Sequence, residues 1–307
     1  RILESDGPSL EMVRLDSGMA FLNIRQGQYE EAIRLCQQSL DMLEKLPENV
    51  DGRKERARIY NNLGSIYLNW SDYSRATQHF EKSLSIRIEN GDTHGTAVLY
   101  KNLGVVYEHQ GHYDKAFEYH RQSCELKKEI GDIYGLAISH TNLGLILSCK
   151  EDYSQALDHL EEAASICGDI ECEWLLPETY RIIAEVRLAL GEVAEALEFG
   201  QASLEMAHKT DSKVFEGVAH RVLGGVKALG RQQWEEGEKH FSKSIDIFKA
   251  LGNEHELGKS YYKFGLMLRD KGEVDRAQEH LSQAIEIFER TGVTERLERA
   301  KTAFRQL

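Results

Sequence analysis

The chain has 307 residues, with 38 Lys and Arg against 51 Asp and Glu for a net charge of −13, 41% hydrophobic residues and only 3 prolines. This composition excludes collagen-like and disordered chains, and so acidic a surface argues against a general nucleic-acid binder, because phosphates attract basic stripes. No apolar run approaches the roughly 18 residues that cross a bilayer, and Arg1-Ile2-Leu3-Glu4-Ser5-Asp6 lacks a signal-peptide core. The expectation is a soluble, cytoplasmic protein with no nucleic-acid or membrane partner. It begins at Arg1 rather than Met, which suggests a fragment of a longer polypeptide. Cys36, Cys124, Cys149, Cys167 and Cys172 are odd in number and lack a paired spacing. They are expected to be reduced, buried or half-buried small apolar residues.

The organising signal is a repeat. Asn62-Leu63-Gly64, Asn102-Leu103-Gly104 and Asn142-Leu143-Gly144 are each 40 residues apart. Extending that register along the chain places Ala20, Gly64, Gly104, Gly144, Ala184, Gly224 and Gly265 at one equivalent position, all small. Large residues follow (Tyr29, Tyr73, Tyr113, Tyr153, Val193, Trp234, Val274), then small ones again from Ala32 to Ala277 and from Ser39 to Ala284. Seven copies agree at four positions, so the period is a structural unit.

Each copy holds two stretches with apolar residues three and four apart, such as Tyr60, Leu63, Tyr67 and then Tyr73, Ala76, Phe80, Leu84. That spacing predicts paired amphipathic helices. Facing small residues let the two backbones approach. Between copies, Gly91-Asp92, Gly131-Asp132 and Gly252-Asn253 supply a left-handed helix end and a cap for the next helix. One hairpin cannot bury its apolar face alone, so neighbours must stack.

The fold class predicted is all-α, a right-handed α-solenoid of seven helix-turn-helix repeats at about 8–46, 53–90, 93–130, 133–168, 173–210, 213–250 and 254–291. A capping helix at 294–306 (Leu297, Ala300, Phe304) closes it, and the whole of 1–307 is expected to be a single domain. Local irregularity is expected after the first copy, where about four extra residues surround Pro47, at Ala184 in the fifth, and before Trp234, where the sixth has one residue more.

With Gly64 as position 8, Leu63 falls at 7, Tyr67 at 11, Tyr73 at 17, Ala76 at 20 and Phe80 at 24. This resembles the tetratricopeptide repeat (TPR) over essentially the whole chain, in a long variety whose period is 40 rather than 34 residues. The variety is similar to the repeats of Pins/LGN-like adaptors, kinesin light chains and MalT-like bacterial signalling regulators.

Catalytic and metal motifs are weak or missing. Gly258-Lys259-Ser260 invites a phosphate-loop reading, but Gly252 is one residue too far upstream and no strand precedes it. His79, His159, His240 and His280 share one register position, which strings them along the solenoid instead of converging on a metal. They are expected to be packing or surface residues. His109, His112 and Glu108 form a weak constellation beside a turn. No H-E-x-x-H, C-x-x-C, G-x-S-x-G or dinucleotide fingerprint occurs. The chain is expected to be no enzyme and to need no cofactor or metal.

Binding signals are better. If positions 4, 7, 8 and 11 of each first helix pack inward, positions 2, 5, 6, 9, 12 and 13 form its other face. The TPR resemblance implies that this face lines a concave groove, and that asparagines on it hold an extended partner peptide. Asn62, Asn102 and Asn142 form a ladder at position 6, where a carboxamide can pair with a peptide C=O and N–H together. The alternative is that each bonds to a neighbouring helix or to water. Arg58, Lys101, Arg181 and Arg221 would add a positive lane suited to a partner with acidic groups. Val105 and Leu145, with Val98, Ile138 and Val218, would receive side chains. The expected function is a non-catalytic scaffold that binds an extended or helical peptide segment of another protein or neighbouring domain. The alternative is a regulatory sensor arm of a larger bacterial signalling protein (ATPase, cyclase, kinase or transcription regulator) that responds to a peptide or small ligand.

Overall fold

The computed structural model describes residues 9–230 and 232–307. The segment 1–6 read for a signal peptide, and residue 8 where the first repeat is expected to start, lie outside the described residues. Among the described residues there is no strand, and the architecture is an α-solenoid of consecutive helix hairpins. The chain divides into two compact units, Arg1–Gly131 and Asp132–Leu307, and within each the stacked hairpins share cores with their neighbours.

The first unit contains three hairpins: α1 (Leu10–Arg25) with α2 (Tyr29–Glu44), α3 (Arg53–Asn69) with α4 (Tyr73–Glu89), and α5 (Thr93–His109) with α6 (Tyr113–Glu129). The second contains α7 (Ile133–Cys149) with α8 (Tyr153–Asp169), α9 (Leu176–Ala189) with α10 (Val193–Lys209), α11 (Lys213–Gly225) with α12 (Trp234–Ala250), and α13 (Glu254–Lys271) with α14 (Val274–Thr291). The lone helix α15 (Thr294–Arg305) follows and lays Leu297 and Ala300 against Ala284 and Phe288 of α14.

The turns follow the predicted chemistry. Gly91, Gly131 and Gly252 adopt φ of 65°, 69° and 62°. Asp92, Asp132 and Asn253 then accept the amides of Gly95, Gly135 and Glu256 through their side chains at 2.9, 2.8 and 3.1 Å. Inside the hairpins, Ser71 and Glu151 take the left-handed conformation that glycine occupies in the corresponding turns at 111 and 191.

The two helices of a hairpin interlock by size. A Cβ added to Gly64, Gly104, Gly144, Gly224 or Gly265 would sit 2.5–2.8 Å from Phe80, His120, Leu160, Phe241 or Leu281 respectively. In each case the larger residue stands sixteen or seventeen positions on and fills the space of the missing side chain. The fifth hairpin reverses the exchange: Ala184 carries the methyl, and the residue sixteen positions on is Gly200, whose bare Cα lets Leu223 of the next hairpin approach. Ser83, Ser123 and Ser203 fasten the same hairpins by donating to the carbonyls of Ala57, Ala97 and Pro177 at 2.6, 2.8 and 2.7 Å.

The expected irregularities are real and have distinct forms. The extra residue before Trp234 is absorbed in a five-residue π turn, Val226–Gly230, because widening one turn admits a residue without rotating the apolar stripe beyond it. A 3-10 turn, Glu173–Leu175, precedes α9, which has Pro177 in its first turn. Cys36, Cys167 and Cys172 are buried and Cys124 half-buried, but Cys149 is exposed at the end of α7, against expectation. Burial pushes the thiols of Cys36 and Cys167 up to about 12, so neither is a ready nucleophile. Among the described residues no helix is long and apolar enough to cross a membrane.

Candidate functional site

In the first unit the face of α3 and α5 that does not enter the hairpin core carries Arg58, Asn61, Asn62, Lys101, Asn102 and Val105. The expected amide ladder is corrected here. Asn62 is only 2% exposed, and its Nδ2 donates to the Ser17 carbonyl at 2.9 Å on α1. Its donor is spent between neighbouring hairpins, and no room remains beside it for a guest. One repeat later the amide behaves differently. Asn102 Nδ2 donates to Asn61 Oδ1 at 2.9 Å, and both residues stay half-buried. Among the described residues that is the pair's one side-chain bond, leaving Asn102 Oδ1 and Asn61 Nδ2 as one acceptor and one donor side by side.

The residue at position 5 of the preceding copy decides between these outcomes. Ser17 is short, so the following amide reaches past it to the backbone, whereas Asn61 intercepts the amide with its own side chain. Asn61 belongs to the predicted face but not to the expected ladder; a second amide at the facing position is the available signal.

Of the cations in this unit, Arg14 pairs with Glu55 at 2.7 Å, whereas Arg58 and Lys101 form no ion pair with a described residue. Arg58 is exposed and donates to Ser17 Oγ at 3.1 Å and to the Arg14 carbonyl at 3.2 Å. Lys101 is half-buried with no hydrogen bond or ion pair to any described residue, and burial pulls its pKa below the usual lysine value. An ammonium held in this way gains from any anion that reaches it. Beneath it lies His120, fully buried, with neither ring nitrogen hydrogen-bonded to a described residue. Burial first, then the charges of Lys101 and Lys127, push its pKa down to about 3. Val105 is half-buried on the same face of α5.

In the second unit Asn142 is half-buried with no side-chain hydrogen bond to a described residue, and Leu145 is half-buried one turn on. Beside them Thr141 Oγ1 meets Thr179 Oγ1 at 3.1 Å. The expected positive lane is corrected in this unit. Arg181 is clasped by Glu178 at 2.6 Å and Glu185 at 2.6 Å, and Arg221 by Glu256 at 2.7 Å. Lys259 reaches the other oxygen of Glu256 at 2.5 Å. Burial alone would raise the Glu256 carboxyl, but Arg221 and Lys259 hold it well below the usual carboxylate range. Lys259 itself falls to about 8, because burial outweighs the attraction of Glu256. Acidic neighbours on α9 and α13 thus neutralise the cations. Val218 is also buried rather than presented.

The remaining motifs resolve into packing. Gly258 faces Phe288 from within α13, where a Cβ would lie 2.7 Å from the ring, so Gly258-Lys259-Ser260 forms no phosphate loop. His79 stacks on Tyr67, His280 meets Phe264 edge-on, and His159 and His240 pair Nδ1 to Nδ1 with His140 and His220 at 3.0 and 2.9 Å. Among the described residues no group of three or more His, Cys, Asp or Glu is arranged to hold a metal ion.

Antiparallel helix hairpins in a 40-residue register, interlocked by a small residue on one helix and a large one on the other, define a helical-repeat protein. The chain belongs to the tetratricopeptide repeat family, whose model matches residues 11–89, 55–129 and 216–290. No curated protein sequence matches it. Among solved structures, the apo form of RapI is similar with a TM-score of 0.77 at 16% identity, over 91% of this chain and 98% of that one. Aspartyl phosphate phosphatase F from Bacillus subtilis gives 0.76 at 12% identity, over 90% and 70%. NprR, solved with its cognate peptide NprX, gives 0.70 at 14% identity, over 99% and 87%. At these identities the likeness is one of fold.

Proposed function

We propose that this chain is a non-catalytic, cytoplasmic interaction module that holds an extended peptide segment bearing acidic groups, and that α3 and α5 of the first unit make the principal contact. The observation that carries this reading is the half-buried Lys101, without an anionic partner among the described residues, adjoining an Asn102–Asn61 pair whose remaining acceptor and donor bond none of them. A peptide unit paired to those amides places its next carboxylate toward a cation that burial has left under-solvated, where a charge-assisted bond is strong. Val105 gives an apolar side chain a place to rest. Asn142 and Leu145 offer an amide and an apolar neighbour in the second unit, where Arg181 and Arg221 are held by carboxylates. NprR, named above as a peptide complex, lends fold-level support to a peptide ligand, and to the second reading of a peptide-responsive arm in a larger regulator.

The test is a screen of short acidic peptides against the chain, followed by calorimetry on the best binder. Lys101→Met and Asn102→Ala should each weaken it at least tenfold, about 1.4 kcal/mol, with unchanged melting temperature. Amidating the peptide's carboxylates should weaken wild type but not Lys101→Met. Equal affinity for wild type and both variants would refute the assignment.

A further inference from the structure

Each hairpin from the second to the seventh sets one ring of its first helix against one ring of its second. The rings stand at positions 4 and 23 of the repeat. Tyr60 with His79, Tyr100 with Tyr119, Tyr180 with Phe199 and Tyr261 with His280 have centroids 5.7–6.0 Å apart. In the fourth and sixth hairpins both members are histidine, and the rings close to 5.1 Å. The contact also changes in kind. His140 meets His159 Nδ1 to Nδ1 at 3.0 Å, and His220 meets His240 in the same way at 2.9 Å. Tyrosine and phenylalanine fill this place elsewhere in the chain, so packing alone does not require two imidazoles.

Two nitrogens at that separation have the bite of adjacent ligands on one metal ion. With metal–nitrogen bonds of about 2.0–2.1 Å, the 3.0 Å span subtends roughly 90–97° at the ion, the angle of square-planar or octahedral coordination. Tetrahedral zinc needs a span of about 3.3 Å. The two pairs share this bite and differ in their charges. Exposed Asp158 and Glu162 act on His159 and favour a cation. At the other pair Lys243 opposes a cation at both rings and Lys227 at His240, ahead of Glu216 and Glu236. His220 is also only 6% exposed, whereas His140 and His159 are both half-buried. We infer that His140 and His159 form a two-imidazole site for a divalent late transition metal, nickel(II) or copper(II), with water in the remaining positions. On binding, the donating ring gives up its Nδ1 proton and takes one from water on its own Nε2, so the neutral pair releases none. Each ring tilts about χ2 to aim its Nδ1 lone pair at the ion. The inference is independent of the peptide-binding reading, whose principal contacts lie on α3 and α5.

Calorimetric titration of the untagged 307-residue chain with Ni2+ at neutral pH tests it. The expected result is one site with a micromolar Kd. His140→Tyr combined with His159→Phe installs the pair that Tyr180 and Phe199 form one hairpin later, so helicity by circular dichroism should be kept while Ni2+ binding falls by about tenfold or more. His159→Gln, which keeps a polar side chain, should give a loss of about the same size and serves if the double variant unfolds. Cys149→Ser and His220→Tyr should leave the titration unchanged. A chain with no binding below millimolar Ni2+ would overturn the proposal. So would a site that survives the His140 and His159 variants, or one lost with Cys149→Ser or His220→Tyr instead.

Discussion

Replacing His120 by Phe should make the protein more stable and less sensitive to acid. His120 sits against Gly104 where Phe80 and Phe241 sit against Gly64 and Gly224, so the pocket shape is one that phenylalanine already fills twice in this chain. The native imidazole is fully buried with both nitrogens unpaired, and an unsatisfied buried polar group costs about 1–3 kcal/mol. Its folded pKa is depressed from 6.5 to about 3. Below pH 6.5 the unfolded chain therefore takes up a proton that the folded chain refuses. Stability present above that value is lost as pH falls toward 3. With one pKa unit worth about 1.4 kcal/mol, the loss between pH 7.5 and pH 5 is about 2 kcal/mol from this residue. Urea unfolding of wild type and His120→Phe at both pH values isolates it, since the other histidines titrate alike in the two proteins. The variant should gain about 1–3 kcal/mol at pH 7.5 and about 2 kcal/mol more at pH 5. A difference between the proteins that does not change with pH would refute the argument, as would a pH-independent difference for His120→Leu, the side chain that Leu160 and Leu281 place at the same register position.

Two further substitutions probe the hairpins. Gly64→Ala places a methyl 2.5 Å from the Phe80 ring and should cost about 2 kcal/mol by overpacking; adding Phe80→Leu should recover part of the loss in thermal unfolding, and additive losses would contradict the interlock. Glu151→Gly removes a left-handed non-glycine residue at φ 61° and should raise stability by about 1 kcal/mol, a gain checked by the midpoint of urea unfolding.

The repeat is legible in the sequence because its information is local. Helical spacing, small residues at position 8 and Gly-Asp pairs at the junctions all act within one hairpin or between adjacent ones. The inserted residue before Trp234 is visible as an insertion, but sequence does not distinguish a longer loop from the π turn that forms. The site is less legible, because the fate of each amide depends on a side chain some forty residues earlier. Asn62 follows Ser17 and is consumed, while Asn102 follows Asn61 and is left with an open acceptor. Charge misleads at Arg221 for a related reason, because Glu256 reaches it from 35 residues on; at Arg181 the partners Glu178 and Glu185 stand three and four residues away on the same helix, where the sequence does show them.

The reciprocal sizes at positions 8 and 24 make each hairpin a keyed pair rather than an interchangeable module. Grafting α6 behind α9 would drive the imidazole of His120 into the methyl of Ala184, and grafting α10 behind α3 would set Gly200 under Gly64 and leave a hollow where Phe80 belongs. Whole hairpins are therefore the smallest pieces of this chain that recombination can shuffle, and exchange of half a hairpin would be counter-selected wherever bulk and gap no longer correspond.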